Sequence, residues 1–154
     1  MVKRLMEIRL SKYDPKYRRE GNYAKDDWTA VSDIGKVFDD GTKFTKRQYL
    51  ECEQRYVDCI LELLRRCGQE RFNITSYEKH SFGLRSLLCS MRLDRKLRIT
   101  KWKDKQILEG KGVELFIRDC LRENCWGKLE NKTTYIHFGY DYYVYIGVDL
   151  PPAC

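Results

Sequence analysis

Long apolar runs are missing from this sequence, which nowhere approaches the roughly 18 consecutive apolar residues that a membrane-spanning helix needs. The first residues contain a basic pair, but Glu7 and Arg9 interrupt what would be the apolar core of a secretory signal. We therefore expect no membrane association, no cleaved leader and a cytoplasmic location.

Catalytic motifs are also missing. There is no glycine-rich dinucleotide fingerprint, no phosphate-binding loop, no HExxH metal site and no GxSxG nucleophile. Only two histidines occur, His80 and His137, although histidine is the most frequent general acid and base. His137, with Tyr135 and Tyr143 nearby, could form a small ribonuclease-like site, but a histidine on the polar face of a strand is the simpler interpretation. We expect no enzymatic activity and no cofactor.

The seven cysteines are an odd number and include no CxxC pair. Cys52, Cys59 and Cys67 fall on one predicted helix at spacings that suit burial better than crosslinking. Cys120 and Cys125 are separated by four intervening residues, but no further cysteine pair or histidine cluster completes a metal site. This pattern favours free thiols in a reducing cytosol and no bound metal.

The hydrophobic pattern predicts a single α+β domain over residues 1–154, with a mostly antiparallel sheet, a C-terminal β-hairpin and two main helices packed on one face. The segment 81–100 fits a helix and a strand equally well. The predicted elements are strands over Val2–Leu10 and Phe72–Glu78, helices over Lys46–Cys67 and Val113–Asn124, and a hairpin over Thr133–Phe138 and Tyr142–Val148.

The helix predicted over Lys46–Cys67 has a start signal, an apolar repeat and a stop signal. Thr45 and Gln48 form a capping box, apolar residues then recur every three or four positions, and Gly68 supplies the stop. The second helix could extend back toward Lys105, although Gly110 weakens that stretch.

The net charge of +7 is concentrated in the middle of the chain, since residues 71–112 carry eleven basic and four acidic residues. A basic run lies at 92–105, with Trp102 placed for base stacking. The run could contact phosphates, fit an acidic protein or form a solvated rim. Its members are Arg92, Arg95, Lys96, Arg98, Lys101, Lys103 and Lys105.

The C-terminal hairpin is rich in aromatic residues. Alternation places Tyr142, Val144 and Ile146 on the core side and Tyr135, Tyr143 and Tyr145 on the other side. Tyrosine favours strands, so ordinary packing explains part of this enrichment. An exposed tyrosine row would also suit a protein interface, because tyrosine offers a large contact area with few rotatable bonds.

Three stretches, Leu10–Arg18, Asp27–Lys36 and Phe138–Tyr145, resemble small bacterial immunity proteins of contact-dependent growth inhibition and related polymorphic-toxin systems. The resemblance implies a cytoplasmic fold that binds a cognate secreted toxin domain and neutralises it. It supplies no catalytic or binding residues.

The basic run and the aromatic hairpin together supply the expected partner-binding residues. We expect an acidic toxin domain, or docking at the less basic C-terminal end, because a chain of charge +7 repels a basic partner. The alternative is a nucleic-acid-binding module that uses the 92–105 segment. The expected contact residues are Tyr135, Tyr140, Asp141, Tyr143, Tyr145, Arg95, Arg98, Lys101, Trp102 and Lys103.

Overall fold

The computed structural model describes residues 4–79 and 102–150. Single-turn 3₁₀ helices lie at Pro15–Tyr17 and Val31–Asp33. The regular elements are β1 (Arg4–Leu10), β2 (Arg18–Arg19), β3 (Asn22–Tyr23), α1 (Lys46–Arg66), β4 (Arg71–Lys79), β5 (Ile107–Glu109), α2 (Lys111–Leu121), β6 (Cys125–Glu130), β7 (Thr134–Phe138) and β8 (Val144–Leu150).

The main sheet has six strands in the order β1-β8-β7-β6-β4-β5. Every neighbouring pair in this described sheet is antiparallel. The short strands β2 and β3 form a separate two-stranded ribbon in the loop that follows β1. The predicted α+β fold, with its antiparallel sheet, C-terminal hairpin and two helices, is confirmed.

Helix α1 begins and ends where the sequence predicts. The Gln48 N–H donates to Thr45 Oγ1 at 3.2 Å, and the Thr45 N–H donates to Gln48 Oε1 at 2.9 Å, which completes the capping box. Gly68 has a φ of 65°, which glycine adopts without strain, and the next N–H bonds back to the Leu64 carbonyl at 2.8 Å.

The core lies between the two helices and one face of the sheet. Strand residues such as Ile74, Leu129 and Ile136 are fully buried against helix residues such as Ile60 and Phe116. Burial of apolar side chains from both layers is the main stabilising contribution to such a fold.

A buried charge network joins α1 to α2. Glu53 on α1 has no exposed surface and accepts hydrogen bonds from Arg118 at 2.9 Å and from Arg122 at 2.7 and 2.6 Å. Arg118 also bonds Glu114 and Gln54 at the edge of the interface. The single carboxylate of Glu53 therefore bonds two guanidiniums where the helices meet, and Glu114 supplies a second negative charge to Arg118.

The backward extension of the second helix toward Lys105 is wrong. Ile107–Glu109 is instead strand β5, in which Leu108 pairs with Phe72 of β4 and is buried. Gly110 separates the strand from α2 with φ 52° and ψ −123°, a conformation that cannot continue a helix.

Strand β6 was not predicted from the sequence. Cys125, Gly127 and Leu129 point into the core, while Trp126 and Lys128 point out. Gly127 hides the apolar alternation, and it is required because a Cβ there would lie 2.8 Å from the Phe116 ring. The segment 81–100, with its open choice between helix and strand, lies outside the described residues.

Candidate interaction surface

The side of the sheet that faces away from the helices, called the open face below, carries polar and aromatic side chains. Arg9, Tyr145, His137 and Lys128 lie side by side across β1, β8, β7 and β6. All four side chains are exposed or half-buried, which contrasts with the fully buried residues on the opposite side. As far as the described residues are concerned, the open face is therefore accessible to a partner.

Two tyrosine rings of the open face lie against glycines of the neighbouring strand or turn. A Cβ on Gly147 would come within 2.1 Å of the Tyr135 ring, and one on Gly139 within 2.8 Å of the Tyr145 ring. The missing side chains thus create the space that the rings fill. Packing on these glycines restricts the positions that the two rings can take.

Hydrogen bonds fix the polar groups around these rings. The Tyr135 hydroxyl donates to Glu7 Oε1 at 2.6 Å, and this bond raises the pKa of the phenol. His137 Nε2 lies 2.8 Å from Glu130 Oε1. Burial acts to raise the pKa of Glu130, but the hydrogen bond from His137 opposes it and the pKa is lowered overall.

Two arginines meet at the ring of Tyr143, beside this array. The guanidinium carbons of Arg9 and Arg18 lie 5.2 and 5.8 Å from the ring centroid, and an Arg18 Nη2–H donates to the Tyr143 hydroxyl. Guanidinium groups interact favourably with the face of an aromatic ring at such distances. The ring therefore holds two cations together at the β1–β8 edge of the open face.

The three stretches that resemble immunity proteins pack together beneath this edge. Lys12 Nζ lies 4.0 and 4.2 Å from the ring centroids of Tyr13 and Trp28, and 3.0 Å from the Asp27 carboxylate. Burial lowers the pKa of Lys12, although the hydrogen bond to Asp27 opposes this effect. Trp28 also packs on Tyr142, with ring centroids 4.9 Å apart.

This convergence positions the tyrosines of the third stretch. The Tyr13 hydroxyl donates to the Asp141 carbonyl at 2.8 Å, and its ring lies 5.4 Å from that of Tyr143. The Tyr56 hydroxyl of α1 donates to the Tyr142 carbonyl at 2.9 Å. Both bonds hold the β7–β8 turn and thereby orient the ring that the arginines contact.

The structure brings five of the predicted contact residues to one region. Tyr135, Tyr143 and Tyr145 lie on the open face, and Tyr145 is 42% exposed. Tyr140, 78% exposed at the β7–β8 turn, packs beside Trp126 with ring centroids 5.2 Å apart. Asp141 is exposed in the same turn.

The expected alternation along β8 is confirmed. Tyr142, Val144 and Ile146 are buried, whereas the residues between them face the open side.

Trp102 does not belong to an exposed surface, and its prediction as a contact residue is wrong. The side chain is only 6% exposed, and its ring packs edge-on against Phe116 at 5.3 Å. The indole N–H donates at 2.6 Å to the buried carboxylate of Asp119. Trp102 therefore supplies a hydrogen bond to a charged group that is costly to bury without one. It is not available for base stacking.

The rest of the basic run is only partly described. Lys103 is exposed, and its backbone N–H bonds the Gln106 side chain at 3.0 Å. Arg95, Arg98 and Lys101 lie outside the described residues, so their role in binding remains a prediction.

The five described cysteines are free, and they differ in burial. Cys59 is exposed, which contradicts its expected burial, and Cys52 and Cys67 are only half-buried. Cys120 and Cys125 are both buried, with their sulfur atoms 3.8 Å apart. Burial raises the pKa of the Cys120 thiol well above its ordinary value.

Arg9 and Arg18 were not among the predicted contact residues. Arg9 belongs to the predicted first strand, but its neighbour Tyr143 belongs to the far end of the sequence. Arg18 lies outside the helices and strands that the sequence predicts. Their meeting depends on the pairing of β1 with β8, for which the sequence carries no local signal.

Within the described ranges, no three His, Cys, Asp or Glu side chains are grouped so as to hold a metal ion. Neither described helix combines the length and the apolar character that a membrane span requires. No family model, curated protein or solved structure matches this chain.

Proposed function

We propose that this chain is a cytoplasmic immunity protein that binds the toxin domain of a cognate secreted effector and neutralises it by protein–protein contact through the open face. The motif resemblance of three stretches suggests the class, and their packing beneath one edge of the open face suggests the docking side. The toxin is then blocked either at its active site or at the path of its substrate.

The observation that carries this proposal is the composition and rigidity of the open face. Tyr135, Tyr143 and Tyr145 are large, outward-facing and held by packing on glycines or by hydrogen bonds. Tyrosine and arginine are the residue types that most often dominate the energy of protein interfaces. Side chains fixed before binding lose little conformational entropy in the complex, which favours tight association.

The charge of the chain constrains the partner. A protein of net charge +7 attracts an acidic domain over a long range and repels a basic one. An acidic toxin domain, or an acidic patch on a neutral one, therefore suits this surface.

The test is a binding titration of the chain against the toxin domain encoded beside its gene, with growth protection as a second readout. We expect a complex with a Kd well below one micromolar. Tyr145→Ala should weaken binding by about thirtyfold, the effect of losing about 2 kcal/mol at a hot spot. Val37→Ala is the control, because Val37 is exposed but lies away from the open face. No complex at micromolar concentration and no protection of cells would end the proposal.

A further inference from the structure

We infer that Arg9 and Arg18 together bind one carboxylate of the toxin domain, with Tyr143 holding the two guanidiniums in position. This inference rests on the proposed function and names the anchoring contact of the same surface. It specifies one contact point for the partner, at the β1–β8 edge of the open face.

The first observation is that these arginines have no acidic partner and share an aromatic contact, whereas Arg19 and Lys128 are also unpaired but have no such contact among the described residues. Among the described residues, Lys12 pairs with Asp27, Lys36 pairs with Asp26, and the guanidiniums at the helix interface share Glu53. Within the same described ranges, Arg9 and Arg18 form no ion pair, and both contact the ring of Tyr143.

The second observation is that the fold brings these two like charges together from separate elements. Arg9 comes from β1 and Arg18 from the β2–β3 ribbon, yet both lie within 6 Å of one ring centroid, at 5.2 and 5.8 Å. Neither guanidinium forms an ion pair among the described residues, and an incoming carboxylate would supply the missing acidic partner. Each guanidinium offers several N–H donors in a planar fork that fits carboxylate oxygens.

The signs of the surrounding charges favour an acidic protein over a nucleic acid. Glu7, Glu130 and Asp149 lie on strands of the same face as Arg9 and Lys128, so the described part of this face carries charges of both signs. A nucleic-acid strand needs a continuous basic track for successive phosphates. A protein needs only one acidic side chain at this point, with neutral or basic groups over the rest.

The experiment is a double-mutant cycle on binding to the toxin domain. Arg9→Ala and Arg18→Ala should each weaken binding by about ten- to a hundredfold, since each removes a charge-assisted contact to the same carboxylate. Because the carboxylate is shared, the double variant should lose less than the product of the two single effects. Arg18→Lys, which keeps the charge but not the planar fork, should fall between Arg18→Ala and the parent chain.

The matched control is Arg19→Ala, which removes the same charge from the adjacent, exposed residue of β2 and should leave affinity unchanged. Thermal unfolding of each variant identifies any loss of fold. If the parent chain binds the toxin domain and both arginine variants bind equally well, the inference fails while the proposed function stands. If the parent chain does not bind, the proposed function fails first.

A single-stranded 20-nucleotide oligo(dT) serves as the competing probe. Binding of this probe that is lost in both arginine variants, with toxin binding unchanged, would assign the arginines to nucleic acid and overturn the inference. We expect no arginine-dependent binding of the oligonucleotide at physiological salt.

Discussion

Replacing Glu53 with alanine removes the acid that, among the described residues, the two guanidiniums at the helix interface share. Arg122 has a side chain that is only 3% exposed, and its Nε and Nη2 both bond Glu53. Without Glu53, this cation stays buried with no hydrogen-bonded acid among the described residues. Removing one partner of a buried ion pair typically costs about 3–5 kcal/mol, whereas domains of this size have total stabilities of about 5–15 kcal/mol.

Urea unfolding followed by circular dichroism measures this loss. With a dependence of about 2 kcal/mol per molar urea, the midpoint of Glu53→Ala should fall by about 1.5–2.5 M. Glu62→Ala is the matched control on the same helix. Glu62 bonds Arg65 and Arg66 at 2.8 and 2.7 Å, and these bonds lower its pKa to about 2. Its side chain is nevertheless 45% exposed, so water screens the pairs and the midpoint should barely move.

The double variant Glu53→Met, Arg122→Met separates lost charge pairing from lost packing. It removes both buried charges and fills the space with apolar side chains, so it should recover most of the lost stability. Arg118 keeps its bond to Glu114 at 2.9 Å and therefore stays paired. Equal midpoint shifts for Glu53→Ala and Glu62→Ala would refute the reasoning, because burial would then not decide the cost.

Three further predictions concern other parts of the fold. Gly147→Ala should cost about 1–3 kcal/mol in thermal unfolding, because the new Cβ displaces the Tyr135 ring, and adding Tyr135→Ala should restore part of the loss; purely additive effects would contradict this. Trp102→Phe leaves the Asp119 carboxylate without its indole donor, so it should cost about 1–3 kcal/mol at neutral pH. Burial already raises the pKa of Asp119, and losing the donor raises it further. The cost should therefore shrink as the pH falls through these folded-state pKa values, and a cost that grows toward acid would refute this account. Iodoacetamide should label Cys59 in the native protein, while the buried cysteines of α2 and β6 should react only after unfolding, as mass spectrometry of peptides would show.

Local signals in the sequence predicted part of the fold. The Thr45–Gln48 capping box and the spacing of apolar residues placed α1 to within a residue of its observed ends. The hairpin of β7 and β8 followed from strict alternation on both sides of a turn. Strand β6 was not predicted because close packing against Phe116 requires Gly127, which interrupts the apolar pattern.

The candidate surface could be predicted only in part, because some of its contacts join segments that are distant in the sequence. Tyr142, Tyr143 and Tyr145, at and just before the start of β8, were placed correctly because alternation is a local property of one segment. Trp102 was misplaced because its burial depends on Asp119, a partner on another element. The pairing of Arg9 and Arg18 around Tyr143 likewise depends on contacts between distant segments, which periodicity does not encode.

The pairing of β1 with β8 also determines at what stage of synthesis Arg9 can reach Tyr143. Arg4 pairs with Leu150 and Leu10 with Val144, so β1 has no partner while the ribosome is still adding the intervening residues. Contacts of such long sequence separation form late and slowly. Arg9 reaches Tyr143 only through this pairing, so a nascent chain that has not yet released β8 lacks the cation pair altogether.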